Sequence, residues 1–548
     1  MNQMELDPEY LLDLAGSWNK YQGRQAFIFV LAVLYYTYSH YAPILYIYVG
    51  DNYHCHIQAS EHWNLSQNEL RNIFIPQLNG QFDKCNMYDV NVDKVLEDGS
   101  IPSNGSWPVT KCLYGWNYDT SFQSISTEFN WVCKDEWKGT FTQTVYFLGS
   151  AIGTIIFGWI GDHMGRYWTV LLSHWSLLLM GILQSFVWDF YSYSIVRFFM
   201  GFTVKSVLLS FALLSFFIIA LEFVNKSKRS VTINFALGLG ITVGGTVISS
   251  LIYFLKDWRM VNHILYAQVL LSLALPYSIH ESVHWLLEKK KYKKASQVLQ
   301  KISSINGKVI PESTIKLLEN HEDTKSPNAL APGLLDLFKT PRLRRHFILV
   351  IVLWSSIIVL FEANVLNIRN LKFNIFYTFA ISVGVELPAD IIVIFTMEQF
   401  GRRWTSFFSM FLSGIAMLIT AYLTAKSYSN TIIMIVCMVG RFAITMAINA
   451  GTQYNFEICP TNLRSQGSSM IIVIGELFAL IAPSIVFSSS LYTPLPFLLL
   501  GIGGIVFCWV ALFLPETARI EMPANCEEGE KFGLDQKFFH VPMFKNRN

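Results

Sequence analysis

The chain has 548 residues, 52% of them hydrophobic, 15% aromatic and only 15% charged, with a formal net charge of +2. So apolar a composition excludes an ordinary soluble domain and a disordered one, and places the chain in a bilayer. The small net charge gives no ground for a nucleic-acid partner, and the lack of a Gly-x-x-x-x-Gly-Lys-Ser/Thr loop excludes ATP hydrolysis by that route.

In chain order, residues 1–25 are polar and show no cleavable leader, so they read as a cytosolic N-terminus. The first apolar run, 26–50, is an anchor, since about 30 Å of hydrocarbon takes roughly 20 helical residues. It carries Tyr35, Tyr36, Tyr38 and Tyr41, whose rings can hold an ammonium group by cation–π attraction, while Tyr46 and Tyr48 read as an interfacial belt. Residues 51–137 lean acidic and hold the glycosylation acceptors Asn64-Leu-Ser66 and Asn104-Gly-Ser106, so they are expected outside. The same stretch has four of the eight cysteines, Cys55, Cys85, Cys112 and Cys133. On an oxidising-side loop these imply two disulfides, with three possible connectivities.

Apolar runs at about 138–160, 168–188, 192–221, 231–255 and 260–280 make segment 138–281 the rest of an N-terminal bundle. The run at 231–255 holds Gly238, Gly240, Gly244 and Gly245, a spacing that permits close helix contact. Residues 282–345 carry Lys289, Lys290, Lys291, Lys293, Lys294, Lys301, Arg342, Arg344 and Arg345, so this loop is cytosolic by the positive-inside rule. Asn225-Lys-Ser227 falls in another basic loop on that face and is expected to stay unmodified. Apolar residues between Trp285 and Ile302 recur at helical spacing with lysines opposite, which predicts two short amphipathic helices at the inner membrane surface. Six more runs, at about 346–366, 374–396, 404–425, 430–453, 466–489 and 493–514, form a C-terminal bundle over 346–514. Residues 515–548 read as a polar, irregular cytosolic tail, and Cys437, Cys459, Cys508 and Cys526 as free thiols. Six spans on either side of the central loop put both termini inside.

One signature is written twice. Asp162, Gly165, Arg166, Glu222 and Arg229 recur as Glu398, Gly401, Arg402, Glu457 and Arg464, 236 residues on for the first three and 235 for the last two. Each copy sits at the inner ends of apolar runs, so the molecule reads as two similar membrane halves, the organisation of a transporter. Charges at helix ends interact with helix dipoles, and pairs made across the halves can break as the bundles rock. These residues are therefore expected to form an inner-face latch on the outward-open state; the plainer alternative is that the basic ones only hold helix ends inside.

The loop Gly158-Trp-Ile-Gly161-Asp162-His163-Met164-Gly165-Arg166 resembles the one after the second helix of the major facilitator superfamily. Further pieces resemble one branch of it, the solute carrier 22 family of organic cation, anion and zwitterion transporters. They are Glu128-Phe-Asn-Trp-Val-Cys133, Glu281-Ser282 with Trp285-Leu286-Leu287, Leu337-Phe-Lys-Thr-Pro341-Arg342-Leu343-Arg344, Glu457-Ile-Cys-Pro460-Thr461 with Arg464 and Gly467, and Pro515-Glu516-Thr517. The resemblance implies an all-α membrane protein of twelve helices in two six-helix pseudo-repeats, with an extracellular loop domain between the first two helices, and neither an enzyme nor a binder of cofactor or metal. His163, Tyr167, His280, Val283 and His284 depart from the family pattern at the inner face, and Leu208 stands where its cation transporters tend to have tryptophan.

Ionisable residues deep in a span are costly unless paired or hydrated, and mark function. Here they are Lys205, Glu362, Glu386, Asp390, Arg441 and Glu476, whereas Asp189 and Arg197 lie nearer the outer end. Glu386 and Asp390, four residues apart, share a helix face and can bind a cation, carry a proton or pair with a base. Glu476 lies midway along its run with no acidic counterpart in the first half. The resemblance makes this position acidic in organic cation transporters and arginine in many anion and carnitine relatives. A carboxylate there attracts a monovalent organic cation. Lys205 and Arg441 match positions that are basic in those cation transporters too, and are expected to pair with the acids. The expected substrate site is Glu476 with Tyr35 or Tyr36 and Phe361.

The expectation is thus a multi-pass plasma-membrane carrier of small organic cations working by alternating access. An inside-negative potential would drive entry by about 2.3 kcal/mol per charge per 100 mV. A carrier of organic anions or carnitine-like zwitterions, resting on Lys205 and Arg441, and a non-transporting receptor using the 51–137 loop are the alternatives. Oligomeric state and coupling ion stay open.

Overall fold

The computed structural model describes residues 8–16, 19–50, 52–58, 66–78, 81–98, 107–118, 122–223, 229–320, 334–371, 373–461, 463–518, 520, 522–534 and 536, with backbone alone over 208–236. Asn64, Asn104 and Asn225 lie outside the described residues, as do the side chains of Leu208, Glu222 and Arg229.

The first element among the described residues is a short helix, α1 (Pro8–Leu14), and the first span α2 (Lys20–Tyr46) starts earlier than its apolar run. Gln22 draws it back by accepting the Asn19 backbone N–H at 3.3 Å. The loop after α2 is a small folded unit. It holds β1 (Tyr53–Cys55), α3 (Gln67–Phe74), β2 (Gln77–Leu78), β3 (Gln81–Phe82), β4 (Asn86–Tyr88), α4 (Val92–Asp98), β5 (Val109–Lys111), β6 (Trp116–Tyr118) and α5 (Ile125–Glu128). Three antiparallel pairs form among the described residues, β1 with β6, β2 with β3 and β4 with β5. Leu70, Phe74, Ile75, Met87 and Val92 close over a core too small to stand unaided. Of the three connectivities, the structure has Cys55–Cys112 and Cys85–Cys133. Glu128 fastens the unit to the bundle by accepting from Arg259 Nη2 at 2.6 Å and Trp258 Nε1 at 2.7 Å.

The first bundle continues with α6 (Trp137–His163), α7 (Arg166–Gln184), α8 (Phe190–Phe223), α9 (Arg229–Leu255), α10 (Trp258–Ala267) and α11 (Leu275–Ser278). The run expected as one helix over 260–280 passes through a 3-10 stretch, Gln268–Ala274, before α11. Pro276 lacks the N–H that would bond one turn back and tightens the turn before it. Among the described residues the central loop has three α-helices rather than two, α12 (Val283–Glu288), α13 (Tyr292–Asn306) and α14 (Glu312–Asn320). On their apolar faces Leu299, Ile302 and Leu318 pack with Leu11, Leu12 and Tyr21.

The second bundle comprises α15 (Pro341–Leu366), α16 (Ile375–Gln399), α17 (Gly401–Ala425), α18 (Asn430–Ile458), α19 (Arg464–Ala479), α20 (Ala482–Phe487) and α21 (Leu495–Leu512). The run expected over 466–489 is divided between α19 and α20 ahead of Pro483. The described part of the tail carries a helix where an irregular segment was expected: α22 (Cys526–Lys531) places Glu530 so that it accepts the Arg342 and Leu343 N–H groups opening α15. The four expected free thiols, Cys437, Cys459, Cys508 and Cys526, are free.

Ten helical stretches among the described residues are long and apolar enough to cross a membrane; α7 and α8, of 19 and 34 residues, are not among the ten. Helices up to α11 pack chiefly on one another, as do those from α15 onward, and the two sets meet where α9 lies on α16 and α6 on α19 and α20. The glycines of α9 bring it close to α2 on one side and to α16 on the other. Gly240 and Gly244 face Val33 and Thr37 of α2, while Gly238 and Gly245 face Asp390 and Val383 of α16.

Candidate functional site

At mid-depth between the two sets of helices the ionisable residues converge. Lys205 Nζ on α8 stands 3.1 Å from Glu476 Oε1 on α19 and 3.9 Å from Glu362 Oε1 on α15. Ser150 on α6 donates to Glu476 Oε2 at 2.9 Å. His40 on α2 completes the group, its Nε2 3.1 Å from Glu362 Oε2 and its Nδ1 2.9 Å from the Tyr146 hydroxyl on α6. Two carboxylates of the second half are thus held by an ammonium, an imidazole and a hydroxyl of the first. Burying such charges is tolerable because each is paired, and leaving one unpaired would cost several kcal/mol. The Lys205 side chain keeps 20% exposure, against 4% for Glu476, so the open side of the group lies at the lysine.

Rings close the site. Tyr36 stacks on His40 one turn along α2, with centroids 5.4 Å apart, and lies 5.7 Å below Lys205 Nζ. Tyr35 instead turns away, donating its hydroxyl to the Gln268 carbonyl at 2.8 Å. Of the two tyrosines singled out by sequence, Tyr36 is the one beside His40 and Lys205. Phe361 carries the Arg441 guanidinium 4.1 Å above its ring. Arg441 binds Glu386 directly, forming a closed pair between α18 and α16 beside the larger group.

Asp390, one turn beyond Glu386, belongs to neither pair: it accepts from Asn449 Nδ2 at 2.6 Å and presses against the α9 backbone at Gly238. Arg197, discounted for its position near the outer end, is fully buried. It binds the Ser39 carbonyl at 3.1 Å and Gln143 at 3.0 Å, and lies 4.2 Å over the Tyr146 ring. His40 went unread in the sequence although the signal was available, since imidazole in a span is ionisable like the acids.

The doubled signature sits at the opposite ends of the helices. Arg166 pairs with Asp162 at 3.0 Å and Arg402 with Glu457 at 2.8 Å, each within one half. Arg464 opens α19 against Met522, at 3.0 Å, and Glu398 ends α16. A third element repeats with them. Glu281 accepts the backbone N–H groups of Arg166 and Tyr167 at 2.8 and 3.2 Å, and Glu516 those of Arg402 and Arg403 at 2.9 and 3.1 Å. Each carboxylate caps the helix that opens its half's second hairpin. The room comes from Gly165 and Gly401, at φ +107° and +86°, where a Cβ would fall 2.0 and 2.2 Å from the carboxylate.

Solved structures of a proton:xylose symporter of the major facilitator superfamily share this fold. One, bound to 6-bromo-6-deoxy-D-glucose, matches with TM-score 0.57 and 15% identity over 93% of this chain and 99% of its own. The family described as Sugar (and other) transporter matches residues 109–523, more than half of the chain. Solute carrier family 22 member 1 of Oryctolagus cuniculus is 28% identical over 537 residues, 95% of this chain and 94% of that protein. The Bos taurus protein of the same name is 31% identical over 435 residues, 79% and 75% of the two chains. The chain belongs to solute carrier family 22. A protein called organic cation transporter protein, from Drosophila melanogaster, is 28% identical over 86% of this chain and 83% of its own. As a family 22 member with the all-helical major facilitator fold, the chain is a multi-pass membrane transporter, not an enzyme.

Proposed function

We propose that the protein is a polyspecific plasma-membrane carrier of small organic cations, working by alternating access between its two halves and driven by the membrane potential. The carrying observation is Glu476, a buried carboxylate of the second half held only by Lys205 and Ser150 of the first among the contacts described. A cation that displaces Lys205 finds a counter-charge, the Tyr36 face and little water, a setting in which Coulomb attraction is strong. The relatives' names, organic cation transporter among them, support the same substrate class. In this reading twelve helices span, with α7 and α8 completing the set; both termini and residues 282–345 are cytosolic, and the disulfide-bonded loop 51–137, with Asn64 and Asn104, is extracellular. Asp162, Arg166, Glu222, Arg229, Glu398, Arg402, Glu457 and Arg464 form the inner-face gate.

Uptake of tetraethylammonium and of benzoate by cells expressing the protein tests the reading. Saturable tetraethylammonium uptake that rises with inside-negative potential is expected, without benzoate uptake. Glu476→Gln, at matched surface expression, should lower uptake clearance at least about tenfold, or ~1.4 kcal/mol. Unchanged uptake in that variant removes Glu476 from the site. Benzoate uptake alone makes the protein an anion carrier, and uptake of neither makes it a receptor.

A further inference from the structure

The cation reading leaves His40 without a task, yet its surroundings are built for one. Imidazole is the side chain whose ordinary titration falls between pH 5 and 8. His40 is 3% exposed, and both ring nitrogens are partnered, Nε2 by Glu362 and Nδ1 by the Tyr146 hydroxyl. A hydroxyl donates or accepts, so a neutral ring that donates to Glu362 accepts from Tyr146, and a charged ring donates to both. Gaining or losing a proton therefore requires no heavy atom to move.

The groups facing His40 define its charge environment. Tyr36 and Tyr41 lie on its own helix, Tyr146 on α6 and Glu362 on α15. Beyond them stand Lys205 on α8 and Glu476 on α19, and Arg197, also on α8, lies over the Tyr146 ring and binds the Ser39 carbonyl. On α16 and α18, Glu386 and Arg441 neutralise each other, and Asp390 lies one turn further along. With the ring protonated, the group of His40, Lys205, Glu362 and Glu476 sums to zero. Lys205 is placed asymmetrically between the two carboxylates, 3.1 Å from Glu476 and 3.9 Å from Glu362.

We infer that His40 is a proton-carrying site that couples entry of an organic cation to exit of one proton, making the carrier a cation/proton exchanger whenever His40 is charged. The inference rests on the organic-cation reading above. A cation arriving at Glu476 displaces Lys205, which closes the gap to Glu362 and takes over the partner of the imidazolium. Left without its counter-ion, His40 gives its proton to cavity water beside the exposed flank of Lys205, and the charge of the group is unchanged. After the cation leaves on the other side, Lys205 returns to Glu476 and His40 takes a proton from that side. One cation and one proton have then moved in opposite directions. With His40 neutral, the same path carries the cation alone and the membrane potential drives it.

Reconstituted protein tests this with tetraethylammonium, whose quaternary nitrogen carries no proton, so any proton released belongs to the protein. With the potential held at zero and the vesicle interior one pH unit more acid, wild type should accumulate the cation up to about tenfold, and a protonophore should abolish it. His40→Gln should lose this accumulation. Calorimetry in buffers of different ionisation enthalpy should count protons released on cation binding to wild type and none released by His40→Gln. Downhill transport by wild type without accumulation, or accumulation that survives in His40→Gln, overturns the coupling and leaves the cation reading standing. Absence of any tetraethylammonium binding or transport by wild type overturns that reading and the coupling with it. Should His40→Gln fail to fold, the wild-type proton count decides, and cation binding that releases no proton anywhere from pH 5.5 to 8.5 overturns the inference.

Discussion

Of the four in-span carboxylates, Asp390 is the one that no base claims in the described geometry, and it lies between the Asn449 amide and the α9 backbone. A Cβ on Gly238 would fall 1.9 Å from Asp390 Oδ2 and 2.9 Å from its Cγ. The carboxylate cannot simply swing aside, because Asn449 fixes its other oxygen. Gly238→Ala should therefore cost about 1–3 kcal/mol, more than the gain of up to ~1 kcal/mol that alanine brings to a helix. Removing the obstacle should reverse the sign: in an Asp390→Ala background, Gly238→Ala should be neutral or stabilising. Thermal unfolding of the four proteins in detergent reads the coupling, and additive effects would show that the two residues do not touch. This pair illustrates what one sequence yields at this scale. Asp390 was legible as an ionisable residue in a span and Gly238 as a packing glycine, but their contact joins two helices far apart in the chain. Spacing along one helix gives Glu386 and Asp390 a common face and cannot say that the first meets Arg441 and the second a glycine notch.

At the scale of elements, the bundle helices were legible because a bilayer demands long uninterrupted apolar runs. Their breaks at Pro276 and Pro483 were visible as residues and unread as interruptions. The capping carboxylates were also in view: Glu281 and Glu516 are 235 residues apart, the same offset as the end of the doubled signature. They passed as family motifs because a carboxylate in a loop shows no helix it might cap until the chain folds back. Burial pushes the Glu281 carboxyl above its ordinary range, and the N–H groups of Ser282, Tyr167 and Arg166 only partly offset that. The folded state then binds its proton more tightly than the unfolded one. The contribution to stability is full below the ordinary glutamate value and is lost as pH rises through the raised folded value. Glu281→Gln, which keeps an acceptor oxygen and cannot titrate, should flatten that part of the stability curve. Unfolding temperatures of wild type and variant, measured from pH 4 to 8, should show wild type losing ground to the variant as pH rises. A wild type that gains on the variant over this range would mean that the carboxylate–dipole attraction dominates.

For the molecule as a whole, alternating access asks that surfaces of the two halves approach and part, and the α9–α16 seam is where they touch most closely through glycine. A Cβ on Gly245 would sit 2.8 Å from Val383 Cγ2, and beside it Thr242 donates its hydroxyl to the Val383 carbonyl at 3.0 Å. Gly245 touches none of the carboxylates, so a larger residue there should disturb the approach of the halves without altering the site. Gly245→Leu brings four carbons into a gap with no room for one, and such overpacking typically costs about 1–3 kcal/mol. That penalty falls only on states in which the seam is closed. If closure is part of every cycle, turnover of tetraethylammonium should fall at least about tenfold while its equilibrium binding stays within about threefold. Gly244→Ala serves as the comparison, because that glycine faces Thr37 of α2 within the first half. It should lower thermal stability and leave turnover per folded molecule near wild type. Equal turnover in Gly245→Leu and wild type would mean that the seam stays closed, or stays open, throughout transport, and that the halves move about some other line.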